Sequence, residues 1–378
     1  MSESDERTAL CALNRIFGYR PALGHRLVRE AGSAAAVFSL KDFSLPESPA
    51  LAAEIRPDAI RWAEKELQRI RDGGFRFIGF GEREYPPLLK ECPDPPLGLY
   101  INGSTDPSEV FGARKAVAVV GTRDVSGYGR EWCRKIVRAF AEVPTPPSVV
   151  SGLAFGTDGT AHAEALEAGI PTIGVMATGI GQVYPWRHTS LAVRMVQTPG
   201  CALVTDYPLD TAPIAVNFMR RNRIIAGLCT ATIVIESRTK GGSLITARYA
   251  CDYNRDVYAL PGRVDDVRSQ GCNSLIRTKM ADIITSPEAL LDQLGLGPIR
   301  SQGKEDFLSL MERRYGPGSE EARTALLVRE HRGATFDELS QLEGRSWGDI
   351  ARTAAILESD GVLQTDLLQR CFINGNFV

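Results

Sequence analysis

The sequence has no uninterrupted apolar run approaching the ~20 residues that a membrane-spanning helix needs. Its first residues, MSESDERTAL, are acidic and polar instead of basic and then apolar, so no secretory leader is expected there. The eight cysteines, at positions 11, 92, 133, 201, 229, 251, 272 and 371, form no C-x-x-C pair and lie far apart. That spacing argues against a disulfide framework or a zinc site and for reduced, mostly buried thiols. An excess of either charge is also missing. A formal net charge of −2 argues against a wholesale polycation and leaves any nucleic-acid surface to a local concentration of basic residues. The expectation is a cytoplasmic protein with no metal and no cofactor.

What is present is ordinary globular composition, 43% hydrophobic and 24% charged over 378 residues, enough for two or three domains. Residues 7 to about 72 carry apolar side chains at helical spacing, including Leu10, Leu13 and Ile16, and the Gly73-Gly74 pair closes the segment. Within it, FGYRPALGHRLVREAGSAAAVF resembles a helix-hairpin-helix turn, whose amides can meet a phosphate. A small helical packing or interaction module fits the same pattern.

From residue 75 to about 294 the texture changes to short β-branched runs between helix-length stretches. Strands are predicted at Val117 to Val120, Ser148 to Ser151, Thr172 to Met176, Ala202 to Thr205, Thr232 to Glu236 and Asp256 to Leu260. Helices at Gly129 to Ala141 and Thr160 to Ala168 complete the alternation, which indicates a doubly wound α/β domain with a parallel sheet covered on both faces. A linker is expected at residues 296–305. Beyond it come helical patterns at Glu321 to His331, Thr335 to Leu342 and Ser346 to Ser359, then a hairpin-like ending. Thr335 and Ser346 are predicted N-caps, with Glu338 completing a capping box. Three helices and a hairpin point to a winged helix.

Three strand-to-helix turns carry the chemistry. The first runs through Gly121, Thr122, Arg123, Ser126 and Gly129, where amides and a helix N-terminus would face an anion, with Arg123 as an added cation. It lacks the G-x-G-x-x-G spacing and the acidic partner of a dinucleotide site. The second, SGLAFGTDGTAHAEAL, puts Asp158 and His162 four residues apart, a spacing that suits a metal pair or, without a third ligand, a capping Asp and a structural His. The third contains Lys240, Gly242, Ser243 and Leu244 and is not a Walker A loop. Between the last two lies NFMRRNRIIAGL, with Arg220, Arg221, Asn222 and Arg223 beside Phe218. Guanidinium groups suit phosphate and an aromatic ring offers a base a stacking face, while a salt-bridged surface helix fits equally well. A row of phosphate turns along one sheet edge fits a polymer better than a mononucleotide.

The segments YPPLLKECPDPPLGLYING, VVGTRDVSGYG, VVSGLAFGTDGTAHAEALEAGIPTIGVMATG, NFMRRNRIIAGL, GGSLITARYA, DVYALPG and GCNSLIRTKMADII, in this order, resemble the DNA processing protein A family, also called Smf. The resemblance covers about Tyr85 to Ile284. It implies an extended Rossmann-like core that forms a homodimer, binds single-stranded DNA and loads the RecA recombinase onto DNA covered by single-strand-binding protein, without catalysis. It implies an N-terminal helical module (SAM-like or helix-hairpin-helix-like) at 1–73, the core at 74–295 and a winged-helix-like module at 306–378. The family's phosphate turn falls on Gly121, Thr122 and Arg123, with Ser126 and Gly129 continuing it. Its Phe-x-x-Arg-Asn-Arg signature falls on Phe218, Arg221, Asn222 and Arg223, and its glycine-serine-leucine turn on Gly242, Ser243 and Leu244. Phe155, Met219 and Gly241 depart from the family's usual basic residue, proline and serine, and TAPIAVNF lacks a common lysine. A DNA path with fewer charges, leaning more on Arg220, is therefore expected. Two other readings stay open. One is a phosphoribohydrolase-like nucleotide hydrolase with Asp158 or Glu236 as base. The other is a winged-helix transcription regulator, although its reading helix would carry Asp349 and Glu358 beside Arg352.

Overall fold

The computed structural model describes residues 3–39, 48–112, 114–297, 307–331, 333–366 and 369–374. The chain divides into two compact units, Met1–Arg300 and Ser301–Val378. In the first, nine strands make one sheet: β1 (Arg76–Gly79), β2 (Gly98–Asn102), β3 (Ala116–Val120), β4 (Ser148–Ser151), β5 (Thr172–Val175), β6 (Ala202–Thr205), β7 (Ala231–Val234), β8 (Asp256–Ala259) and β9 (Asp282–Ile283). Their order is β1-β2-β6-β5-β4-β3-β7-β8-β9. From β6 to β9 all pairs are parallel, and β5-β4-β3-β7-β8-β9 has the 3-2-1-4-5-6 order of a dinucleotide-binding sheet. The chain reverses its winding at β3, so a crevice opens beyond the carboxyl ends of β3 and its neighbours.

The six predicted strands lie where β3 to β8 form, within two residues at each end. The strand AVAVV shows why they are legible. Val117 and Val119 face one buried cluster with Ile136, Val137 and Phe140, while Ala118 and Val120 face another with Ile224, Ile225 and Ala247. A strand buried on both faces reads as a continuous apolar run. The expectation of a purely parallel sheet needs correction, because β1 and β2 pair antiparallel with each other and β2 pairs antiparallel with β6. These edge strands interrupt their apolar pattern with Arg76 and the glycines Gly79 and Gly98, and β9 is only two residues, so none carries a clear run.

The helices of residues 1–73 do not stand apart from this sheet. Leu13, Ile16 and Phe17 of helix Glu3–Phe17 and Leu67 and Ile70 of helix Pro57–Asp72 share one core with Phe77, Tyr100, Met195 and Leu203. Phe77 and Tyr100 meet edge to face at 5.0 Å. The expected boundary at residue 73 therefore falls inside a continuous hydrophobic core.

The second unit contains helices Phe307–Tyr315, Glu320–Glu330, Phe336–Glu343 and Trp347–Ser359 and a hairpin of β10 (Leu363–Thr365) and β11 (Cys371–Ile373). Met311, Leu339, Ile350, Leu357 and Val362 fill its core. Thr335 and Glu338 form the expected capping box, and Ser346 caps the helix after it. A fourth helix, Phe307–Tyr315, precedes the three expected. The linker expected at 296–305 lies outside the described residues from position 298 onward.

The shared core makes a prediction. Phe17→Ala empties fully buried aromatic volume and costs about 3–5 kcal/mol. Hydrogen exchange at the Tyr100 and Ile101 amides of β2 should accelerate with it. Unchanged exchange in β2 would mean that the N-terminal helices and the sheet hold separate cores.

Candidate functional site

The three predicted turns meet at the carboxyl ends of β3, β4 and β7. They line a cleft of roughly 810 Å³ whose walls include Gly121, Thr122, Arg123, Ala154, Asp158, Phe218, Arg221, Asn222, Lys240, Gly242 and Ser243. The first two turns cross in direct contact, with the Thr157 amide donating to the Thr122 carbonyl at 3.2 Å. Gly156 makes this possible. Its φ is +76°, and a Cβ there would lie 2.4 Å from the backbone oxygens of both Thr122 and Arg123. Asn222 Nδ2 donates to the Gly242 carbonyl at 3.2 Å, tying helix Ala215–Gly227 to the third turn.

Arg123 is exposed, and its guanidinium lies over the Phe218 ring with 5.3 Å to the centroid. Tyr184 meets the same ring edge to face at 5.4 Å and is 44% exposed. A cation and two aromatic rings at the mouth of a cleft can hold a phosphate and offer a stacking face to a base.

The helix N-termini at the first and third turns differ. At the first, Ser126 caps helix Gly127–Ala141 by accepting from the Gly129 amide at 3.0 Å. The Ser126 N–H and hydroxyl in turn donate to the two oxygens of the Glu236 carboxylate, at 2.9 and 2.5 Å. Glu236 is buried, and a Cβ on Gly129 would collide with its carboxyl carbon at 2.6 Å. The expected roles of Ser126 and Gly129 are therefore corrected: the anion at this helix end is the protein's own carboxylate, which would repel a phosphate. At the third turn, helix Ser243–Asp252 begins at Gly242 with no side chain capping it, and Lys240 is exposed beside it. This end is open to an anion.

The arginine segment separates in three directions. Arg223 is buried and bonds Asp206 at 2.6 Å and the Asp94 carbonyl. Arg221 is a nearly buried part of the cleft lining and donates to the carbonyls of Gly152 (2.7 Å) and Val175. Burial pulls its guanidinium down to about 10, with Asp158 opposing the shift. Arg220 turns to the N-terminal helices, donating to the Gly18 carbonyl at 2.9 Å and covering the Tyr19 ring at 4.3 Å. The expected phosphate role of Arg223 is corrected by its burial against Asp206, Arg221 meets the cleft only as a nearly buried group, and Leu244 belongs to the core as well.

Asp158 and His162 are also internal. Asp158 Oδ2 accepts from the Gly152 and Ala154 amides at 3.2 and 3.3 Å, and burial raises its pKa against the pull of Arg221. His162 Nδ1 is 2.7 Å from Thr172 Oγ1. Among the described residues, no three His, Cys, Asp or Glu side chains are grouped to hold a metal ion, and no helix is long and apolar enough to cross a membrane. Arg238 and Tyr184 line the cleft and were not among the expected site residues. Arg238 stands two residues after Glu236 at a strand's carboxyl end, a position that could have marked it.

Residues 76–295 match the family described as DNA recombination-mediator protein A. Protein Smf of Synechocystis sp. is 39% identical over 325 residues, covering 83% of this chain and 79% of the relative. Among solved structures, DNA processing protein A of Streptococcus pneumoniae superposes with a TM-score of 0.59 at 28% identity, over 77% of this chain and 96% of that one. DNA processing protein A of Helicobacter pylori, studied for its unique single-stranded DNA binding mode, gives 0.52 at 26% identity, over 58% and 95%.

Two outcomes test the internal assignments. Arg223→Ala leaves Asp206 buried without its partner and should cost about 3–5 kcal/mol in urea unfolding; a loss below about 1 kcal/mol would place Arg223 at the surface after all. Burial lowers the His162 pKa from 6.5 to about 3. Between those values the unfolded chain binds a proton that the folded chain refuses, so this residue's contribution grows as pH rises through that window. The stability advantage of wild type over His162→Gln should therefore be larger at pH 7.5 than at pH 5. An equal advantage at both would show that the imidazole titrates normally.

Proposed function

The chain belongs to the DNA recombination-mediator protein A family, and from that premise we propose that it binds single-stranded DNA along the cleft and loads RecA onto it. The observation that carries this reading is the Arg123 guanidinium over Phe218, with Tyr184 against the same ring, at a cleft that gathers three strand-to-helix turns. A phosphate is held by Arg123, Lys240 and the helix start at Gly242 and Ser243, which no side chain caps. A base stacks on Phe218. Thr122, Gly121 and Asn222 shape the wall, and Arg220 and Arg221 position the helix that presents Phe218.

In this reading the second unit is a winged-helix-like module at 306–378, and residues 1–73 are a SAM-like or helix-hairpin-helix-like module that has become part of the core unit. The protein works as a homodimer in the cytoplasm, receives DNA from single-strand-binding protein and needs no catalytic step or cofactor. The hydrolase alternative loses ground because the Glu236 carboxylate is taken by Ser126 and Asp158 by two backbone amides. The regulator alternative loses ground because Arg352 is paired with Asp349 at 3.0 Å on its own helix.

Anisotropy of a labelled single strand across a salt series tests the reading. Arg123→Ala should weaken all sequences about equally and flatten the salt slope by roughly one contact, and Phe218→Ala should cost about 1–3 kcal/mol of binding. Ser126→Ala should lose about 1 kcal/mol of stability with affinity unchanged. Binding untouched by Arg123→Ala would sink the site. RecA filament assembly on strands covered by single-strand-binding protein should shorten its lag when the chain is added, and an unchanged lag would remove the loading role.

A further inference from the structure

We infer that Arg238 and Arg268 form a second phosphate site beside Arg123, and that Asp124 occupies it in the free protein until the nucleic acid displaces its carboxylate. This inference rests on the single-strand reading of the cleft.

Asp124 follows Arg123 in the first glycine-rich turn. Its backbone N–H donates to Thr122 Oγ1 at 3.2 Å, which holds it in the same rigid turn. One carboxylate oxygen, Oδ2, lies 2.8 Å from Arg268 Nη2 and 3.6 Å from Arg238 Nη2. Arg268 also donates through Nε to the Asp124 carbonyl at 2.9 Å. Both arginines stand on segments tied to the third turn. Arg238 lines the cleft, and the Arg268 carbonyl accepts from the Ser237 amide at 2.7 Å, which anchors the neighbouring loop to that turn. Three guanidinium groups, those of Arg123, Arg238 and Arg268, thus gather at the first and third turns, with Asp124 as the acidic group holding two of them.

The exposures decide that this contact is exchangeable. The Asp124, Arg238 and Arg268 side chains are 63%, 60% and 37% exposed, so the ion pairs are solvent-screened and weak. A phosphate carries the same charge in the same fork-compatible geometry, and a polymer brings many of them with counterions to release. The Arg223–Asp206 pair differs in kind, since both groups are buried and nothing can replace the acid. Asp124 also holds two long side chains against the first turn, which lowers the ordering cost of the later contact. The pairing explains how a chain with net charge −2 presents a basic surface only to a ligand able to compete for it.

The test uses the full chain and a labelled single strand in a salt series. Asp124→Asn removes the competitor and should raise affinity roughly fivefold, the scale of an exposed ion pair, and steepen the salt slope by about 0.7. Asp124→Ser should act in the same direction. Arg238→Ala and Arg268→Ala should each flatten the slope by about 0.7. Asp265→Asn removes an equal charge from the Arg263–Asp265 pair on the same loop and should leave affinity unchanged. Equal gains from Asp124→Asn and Asp265→Asn would reduce the effect to overall charge and overturn the inference. So would unchanged binding in Asp124→Asn, Arg238→Ala and Arg268→Ala while Arg123→Ala still weakens it, a result that would leave the proposed function standing. Failure of the wild type to bind the single strand would remove both.

Discussion

One buried carboxylate organises the working edge of this sheet. Glu236 leaves the end of β7, accepts from the amide and hydroxyl of Ser126, and through its backbone carbonyl accepts from the Thr122 amide at 2.8 Å. A charged acceptor in a buried place is worth more per hydrogen bond than a neutral one, ~1.5–3 kcal/mol, and its charge complements the N-terminus of helix Gly127–Ala141. The first and third turns are thereby locked together across β3 and β7. The Ser126 and Thr122 amides carry that lock through the backbone, with the Ser126 hydroxyl adding stability to it. The lock sets the first turn so that Arg123 reaches the Phe218 ring, and it leaves the uncapped start of helix Ser243–Asp252 as the open helix end of the two.

The same economy governs charge. Along this edge the acids and bases fall into two populations with different physical roles. Arg221, Arg223, Asp158, Asp206 and Glu236 are buried and hydrogen-bonded, so they hold the loops and offer a ligand no free group to contact. Arg123, Lys240 and Arg238 are exposed and few. Their effect comes from concentration at a switch point of the sheet, where amides and an open helix end add to them. Composition averages these populations and hides the distinction.

Much of the fold was legible. The apolar runs of β3 to β8 and the glycine-bearing turns after β3, β4 and β7 follow from local sequence, and the caps at Thr335 and Ser346 needed no tertiary information. Less legible were β1, β2 and β9. Their strand character comes from pairing partners that are distant in sequence, as when Tyr100 meets Thr205 across the antiparallel β2–β6 edge. The merging of residues 1–73 with the sheet was likewise invisible, because an amphipathic helix shows that it has a buried face without showing what covers it.

The site divides along the same line. By itself the sequence determined which short segments would lie at strand ends, that Gly121, Thr122 and Arg123 belong to a strand-to-helix turn, and that Phe218 stands beside basic residues. Only the tertiary structure decided which of Arg220, Arg221 and Arg223 meet solvent. Each step along a helix turns the side chain by ~100°, which sets Arg221 apart, while Arg220 and Arg223, three positions apart on one face, are separated by their partners. Asp206 and Asp94 received Arg223, the carbonyls of Gly152 and Val175 received Arg221, and Gly18 and Tyr19 received Arg220. These partners come from five separate stretches of chain. Burial and ion pairing are set by what folding brings together, and no local pattern encodes it.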